Sequence, residues 1–286
     1  MKSIPHIVGM LLLVVGPASS GGPPLEEALL FSPHSPGAWA PSESKITSGN
    51  SGGEPVLEWA VVVDHKAGEA DYPIGWPRIV AEVDSLRDWS AWDYVEFRAR
   101  TTASRTSLPS EPAGLILFDT DGDRILTRPL TELRLNEWVS FRLLTASLLS
   151  AGAVGRMQFY IAERNYSHGD RLHFAIDRIS LSRHTAPALV DVLPSAHVVF
   201  SDIGHISLQI RLSGLKDAGS TNIVCEVVRE NGVVASMVRS VSNGLSTLVL
   251  PLPQGLSPGA CTLRTRVEES EDLSESPLHV VASPWR

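Results

Sequence analysis

The sequence predicts an all-β chain built as two sandwiches, on three observations. Gly and Pro are frequent, at 22 and 20 of 286 residues, and the apolar segments are short. Alternation of apolar and polar residues with a period of two recurs along the chain. A polar, Pro-bearing junction, "SRHTAPALVDVLP" (182–194), separates two strand-rich stretches and places a domain boundary near residues 184–190. The length agrees, because domains commonly run to about 100–200 residues.

Taken in order, residues 1–20 read as a cleaved secretory signal: Lys2, the apolar run Ile7 to Val15, then Ala18 and Ser20 at the minus-three and minus-one places. That run is short of the roughly 20 residues of a membrane span, so no transmembrane anchor is expected. Residues 21–39 are Pro-rich with little periodicity and read as a tail or a strap across the first domain. Strands are expected near 56–63, 78–83, 93–101, 114–119, 123–128, 137–143, 156–162 and 172–182. A second series follows near 190–193, 205–213, 222–229, 233–240, 245–251, 260–268 and 277–282. "LTASLLSAG" (144–152) reads as one or two helical turns. The second series, residues 188–286, has the look of a seven-strand immunoglobulin-like β-sandwich, with Glu230-Asn231-Gly232 as one hairpin turn.

"FDTDGDRI" (118–125) alternates three acids and invites a calcium reading. An EF-hand loop needs Gly at its sixth place and Glu at its twelfth. From Asp119 those places hold Arg124 and Leu130, and from Asp121 the sixth holds Leu126. The segment therefore reads as two strands joined by a type I′ turn at Asp121-Gly122.

Loss of Lys2 with the signal leaves 23 Lys and Arg against 32 Asp and Glu. Phosphate backbones need basic grooves, so nucleic acid is not an expected partner. Each cysteine opens an alternating run, "NIVCEVV" around Cys225 and "ACTLRTRV" at Cys261. If those strands pair antiparallel, their starts lie at opposite ends, beyond the roughly 7 Å Cα separation that a disulfide allows. Two buried free thiols are the expectation, and no Cys or His spacing is of the metal-binding kind.

"HFAIDRISL" (173–181) changes parity: Phe174 and Ile176 share one face, Ile179 and Leu181 the other. A β-bulge at Asp177-Arg178 inserts the one residue that lets both sets face the core. An aromatic residue, an Ile-Asp pair and Ile-x-Leu in this position resemble the closing strand of the galactose-binding-like jelly roll of carbohydrate-binding modules. "LRDWSAWDYVEFRAR" (86–100) and "NEWVSFRLL" (136–144) resemble two further strands of that family. The resemblance spans residues 40–184 and implies a galactose-binding-like β-sandwich in a secreted protein. It further implies a polysaccharide or glycoconjugate as partner and a structural calcium near the closing strand. Asp177 is the retained acid, while Arg178 stands where many relatives carry a second one.

Among the aromatic residues, Trp59 and Trp138 are expected in the core, and at least one of Trp89 and Trp92 as a plug at the end of the sandwich. "ADYPIGWPRI" (70–79) can be no regular element, because Pro73 and Pro77 lack an amide hydrogen. Its rings either wedge under the loop or face a flat partner such as a sugar. Sugar sites combine rings for stacking with acids, amides or guanidinium groups for hydroxyls. Tyr72, Trp76 and Arg78 in this loop, Tyr160 on the strand before the next, and Glu163, Asn165, Tyr166, His168 and Asp170 in "ERNYSHGD" supply both sets. No carboxylate pair or nucleophile elbow of hydrolytic type is evident, so non-catalytic recognition is expected. The C-terminal domain is then a spacer or the dock for a protein partner. A scaffold that binds no sugar, or the non-catalytic remnant of a glycoside hydrolase, are the competing readings.

Overall fold

The computed structural model describes residues 24–66, 75–216, 219–230, 232–270 and 273–285. It is all-β and falls into two compact units, one over Glu27–Ser182 and one over Arg183–Arg286, with residues 24–26 grouped with the second. Among the described residues, no helix is long and apolar enough to cross a membrane.

Two sheets make up the first unit. One holds β1 (Leu25–Phe31), β3 (Lys45–Ser51), β4 (Glu54–Val62), β6 (Tyr94–Ala103), β9 (Trp138–Leu144), β11 (Arg171–Ile176) and β12 (Ile179–His184); the other holds β2 (Trp39–Ser42), β5 (Arg78–Glu82), β7 (Gly114–Asp119), β8 (Arg124–Pro129) and β10 (Val154–Tyr160). In the second sheet the strands run in the order β2-β5-β10-β7-β8. In the first, β11 and β12 follow one another along one side of β6, and β9 covers the other. The residues 21–39 expected as tail or strap contain β1, which pairs with β12 at the sheet margin.

The parity change in "HFAIDRISL" is resolved as expected. Ile176 pairs with Ala99 and Ser180 with Glu96, so β11–β12 spends one residue more than β6 over the same stretch. Phe174, Ile176, Ile179 and Leu181 all enter one core. In that core Phe97 stacks on Phe141 at 4.8 Å and meets Phe159 of the opposite sheet edge-on at 5.3 Å. Trp59 stacks on Phe174 at 4.8 Å, and Trp89 is fully buried as a plug. Trp138 departs from expectation. It alternates with the inward Val139 and Phe141, so it lies on the outer face of β9, half-buried under the Arg98 guanidinium at 5.4 Å.

The turn between β7 and β8 also differs in detail. Asp119 N–H donates to Asp123 O, and the register slips between Leu117 and Phe118. Only Gly122 has a positive φ, of 90°. This is a three-residue loop with a bulged Gly, not a two-residue type I′ turn. The Asp119 carboxylate is spent on the amides of Asp121 and Asp123, at 3.0 and 2.8 Å. The stretch 144–152 holds one short 3₁₀ turn at 145–147 and the start of a second at 151–153.

The second unit pairs β13 (Ala188–Pro194), β15 (His205–Ser213) and β18 (Gly244–Pro251) in one sheet. The other runs β14-β20-β19-β16-β17, over Val198–Phe200, Leu273–Val281, Gly259–Val267, Ser220–Arg229 and Gly232–Ser242. β14 joins β20 in parallel. Alternate residues of both sheets, from Ile206 and Leu208 to Ile223 and Leu263, fill a separate core. Cys225 and Cys261 are free and buried, and burial pushes the Cys225 thiol up to about 11. Cys225 faces Thr265 across the β16–β19 ladder, so Cys261 lies four residues farther along β19.

Candidate functional site

Of the nine residues expected to bind a sugar, eight fall into two groups. Tyr72 lies outside the described residues. Trp76, Arg78 and Tyr160 meet on the outer face of the β5–β10–β7 sheet. Glu163, Asn165, Tyr166, His168 and Asp170 lie beyond the end of β10, where most of their polar atoms are spent on neighbouring loops.

The outer face follows from strand parity. Met157, Phe159 and Ile161 point into the core, so Arg156, Gln158 and Tyr160 point out. Register then sets three cross-strand rows. Tyr160 stands between Arg78 and Gly114, Gln158 between Val80 and Ile116, and Arg156 between Glu82 and Phe118, with Arg124 next beyond Phe118.

Gly114 makes room for the Tyr160 ring. A Cβ at residue 114 would come within 2.5 Å of Tyr160 Cε1 and 2.6 Å of its hydroxyl. Trp76, 37% exposed, stands beside the ring with centroids 5.9 Å apart and planes at 69°. Arg78 covers Trp76 at 5.1 Å and donates from Nη1 to Trp76 O at 3.1 Å. The two rings make an elbow, not a coplanar platform. Partial burial raises the Tyr160 phenol pKa, Glu111 adds to the rise, and Arg124 and Arg164 oppose it. In the middle row Gln158 is buried, and its Nε2 has no hydrogen-bond partner. Gly114, Gln158, Arg124 and Arg156 were not among the expected site residues. Parity alone gives the outward 156/158/160 triad, but Gly114 and Arg124 join it only through register.

Beyond β10 the chain ties a knot. Glu163 is buried in the turn Glu163–Asn165, and its Oε1 accepts from Asp64 N–H at 3.0 Å. Glu163 Oε2 has no partner and, with Glu43 Oε2, closes over Gly75, where a Cβ would lie 2.9 Å from the Glu163 oxygen. Glu43 Oε2 accepts from Trp76 N–H at 2.8 Å, so this contact seats the ring. Asn165 Nδ2 donates to Glu111 O at 3.1 Å. Asp170 Oδ2 accepts from Ser167 N–H at 2.8 Å and pairs with Arg105 at 3.4 Å. His168 Nδ1 accepts from His65 N–H at 3.2 Å.

Tyr166 is the clearest departure. It is buried, and its hydroxyl donates to Pro112 O at 2.6 Å. Burial drives its pKa far above the usual phenol value. Its ring cannot stack on a sugar, because the core and Arg105 already cover it.

Asp177 is placed as an ion-pair partner. Arg98 donates to Oδ2 from both Nε, at 2.8 Å, and Nη2, and Arg178 N–H donates to Oδ1. A carboxylate filled by a guanidinium does not fit a calcium ligand. Among the described residues, no group of three or more His, Cys, Asp or Glu could hold a metal ion.

No protein-family model matches the chain, and no curated protein matches it. Three solved structures illustrate its distant likenesses. A family 2 glycosyl hydrolase from Bacteroides cellulosilyticus has a TM-score of 0.32 and 10% identity, over 72% of this chain and 27% of that one. A β-1,2-glucanase from Parabacteroides distasonis has a TM-score of 0.35 and 10% identity, over 86% and 36%. The BSP domain of a biofilm associated protein has a TM-score of 0.26 and 10% identity, over 88% and 53%. The chain thus spans about a quarter to about half of each, and likenesses this distant do not bear on function.

Proposed function

We propose that the first unit recognises a polysaccharide or glycoconjugate without transforming it, through the outer face of the β5–β10–β7 sheet. The observation that carries this reading is the Trp76–Tyr160 elbow, with the glycine floor under Tyr160 and a buried, unpartnered Gln158 amide in the next row. Aromatic faces offer flat apolar area to a sugar ring, and orphan amide hydrogens gain most from a hydroxyl acceptor. The knot beyond β10 holds Trp76 and closes the end of the sandwich; it contributes position, not contacts.

In this reading residues 1–20 direct secretion and residues 40–184 form a galactose-binding-like jelly roll. Residues 188–286 form an immunoglobulin-like sandwich that serves as a spacer or as the dock for a protein partner. Its parallel β14–β20 pairing and its three- and five-stranded sheets support that assignment.

One observation favours a scaffold instead: Tyr166, one of the four aromatic residues expected at the site, is a packing device. The test is binding of the chain to a panel of soluble and insoluble polysaccharides, beside a Trp76→Ala, Tyr160→Ala double variant. Binding that the variant loses while its thermal melt is kept supports recognition at this face. A chain that binds no glycan is a scaffold.

A further inference from the structure

The two outer faces of the first sandwich differ in how most of their arginines are held, although Arg100 of the first face forms no ion pair among the described residues and reaches Ser51 at 3.4 Å. Across β1, β6, β9 and β12, Arg98, Arg142 and Arg178 are matched by Asp177, Glu96 and Glu27, each in an ion pair. These residues ring a hollow of about 280 Å³ whose charges cancel. On the β5–β10–β7–β8 face, Arg78, Arg124 and Arg156 form no ion pair among the described residues. Arg164, one turn past Tyr160, forms none either. Two of these four lie over rings instead, Arg78 over Trp76 at 5.1 Å and Arg156 over Phe118 at 4.1 Å. Arg124 and Arg164 are exposed.

Among the described residues, the acids near this face form no ion pair with its arginines. Glu82 stands directly across from Arg156 in the ladder without closing to an ion pair. Glu43 is bound to the Trp76 amide, and the Asp119 carboxylate to its own turn. Among the described residues, Glu111 also lies near enough to Tyr160 to raise its pKa. In a chain of net charge −8, unpaired guanidinium groups gathered around an exposed elbow of rings point to a ligand that brings the negative charge itself.

We infer that this face takes a polysaccharide bearing carboxylates, a polyuronate, with the rings of Trp76 and Tyr160 against the sugar planes and the guanidinium forks on the acid groups. The inference rests on the glycan-binding reading above and narrows it. Planar guanidinium groups match carboxylates in bidentate geometry, which favours uronates over neutral glycans. From the Tyr160 row to the Arg156 row is four strand residues, or roughly 13 Å, so the face engages several consecutive sugar units.

The test measures binding of the chain to polygalacturonate, to neutral pullulan and to dextran sulfate. It compares the wild type with Arg124→Gln/Arg164→Gln, two exposed positions whose replacement should leave the fold intact, and with Arg78→Gln. Expected are preferred binding to polygalacturonate, weakening as salt rises, and a loss of about tenfold or more in the double variant. Binding to pullulan that the arginine variants leave unchanged and Trp76→Ala abolishes would overturn the charge assignment and keep the glycan-binding reading. Equal affinity for dextran sulfate would overturn the preference for carboxylates. Failure to bind all three would overturn both readings.

Discussion

Replacing Gly114 by Ala separates the role of the Tyr160 ring in recognition from any role in stability. Non-bonded carbon atoms rest about 3.5–4.0 Å apart, whereas a Cβ at residue 114 would lie 2.5 Å from Tyr160 Cε1. The ring must therefore lift by about 1 Å or more. It can do so, because the clash is with the free end of a half-buried side chain. Gly114 has no positive φ, so Ala fits the backbone. Relative to Gly it restricts the unfolded chain, a gain of about 0.4–1 kcal/mol. That gain offsets part of the packing lost under the ring, and the midpoint of urea unfolding should move by less than the equivalent of about 1 kcal/mol.

Binding should respond more strongly. A well-placed aromatic contact is worth about 0.5–1.5 kcal/mol, so a lifted ring that no longer meets Trp76 at its present angle should weaken glycan affinity by up to about tenfold. Affinity electrophoresis in gels with the bound polysaccharide reads the second quantity, and urea denaturation the first. A Gly114→Ala chain that binds as tightly as the wild type would remove Tyr160 from the site. Loss of several kcal/mol of stability would show that the ring is part of the core and not a surface.

Three other outcomes follow from the same geometry. Gly155→Ala, by contrast with Gly114→Ala, should destabilise the first unit by about 1–3 kcal/mol, because its Cβ would lie 2.6 Å from Asp119 O and 2.9 Å from Thr120 Cα, which are backbone atoms; an unchanged urea midpoint would contradict this. Tyr166→Phe removes the donor to Pro112 O and should cost about 1–3 kcal/mol at neutral pH. The raised pKa of folded Tyr166 means its contribution is complete below the unfolded phenol value near 10 and is lost as pH climbs above it, so the variant's deficit should shrink above pH ~10 in thermal melts, and a constant deficit would refute the assignment. Asp177→Asn breaks an ion pair whose arginine is half exposed and should cost at most about 1 kcal/mol, with no dependence on added calcium; a calcium-dependent melting shift that the variant abolishes would restore the metal-ligand reading.

Much of the fold is legible in the sequence, and what escapes has a common physical cause. The strands without an expected counterpart are β1, β2, β3 and β14, and each lies at the margin of a sheet. A marginal strand is held by backbone bonds on one side and buries little, so its composition is free to be polar or Pro-rich. β3, "KITSGNS", is wholly of that kind, with no fully buried residue. Interior strands such as β15 must present an apolar face, and "HISLQIRLS" alternates throughout. Trp138 fails for another reason. β9 alternates correctly, but a tryptophan at its start is apolar enough to suggest the core and can still be covered from outside by one arginine.

The site divides along the same line. Tyr160 and Tyr166 stand six residues apart, one between Phe159 and Ile161 and the other between Asn165 and Ser167, and their fates are opposite. Tyr160 is still in register on β10, so the inward Phe159 and Ile161 fix it outward. Six residues on, the Glu163–Asn165 turn has ended that alternation, and no local rule says where the next ring goes. Its place is set by Pro112 O, a long-range acceptor that no local pattern reveals. Composition correctly gathers the chemistry of "ERNYSHGD", but a turn that must satisfy its own amides and those of the adjoining loops consumes that chemistry. Among the described residues, the groups not consumed in this way are those whose direction a regular strand dictates and whose charge no ion pair cancels. In this chain those are Tyr160, the ring that Glu43 seats beside it, and the unpaired arginines of the same face.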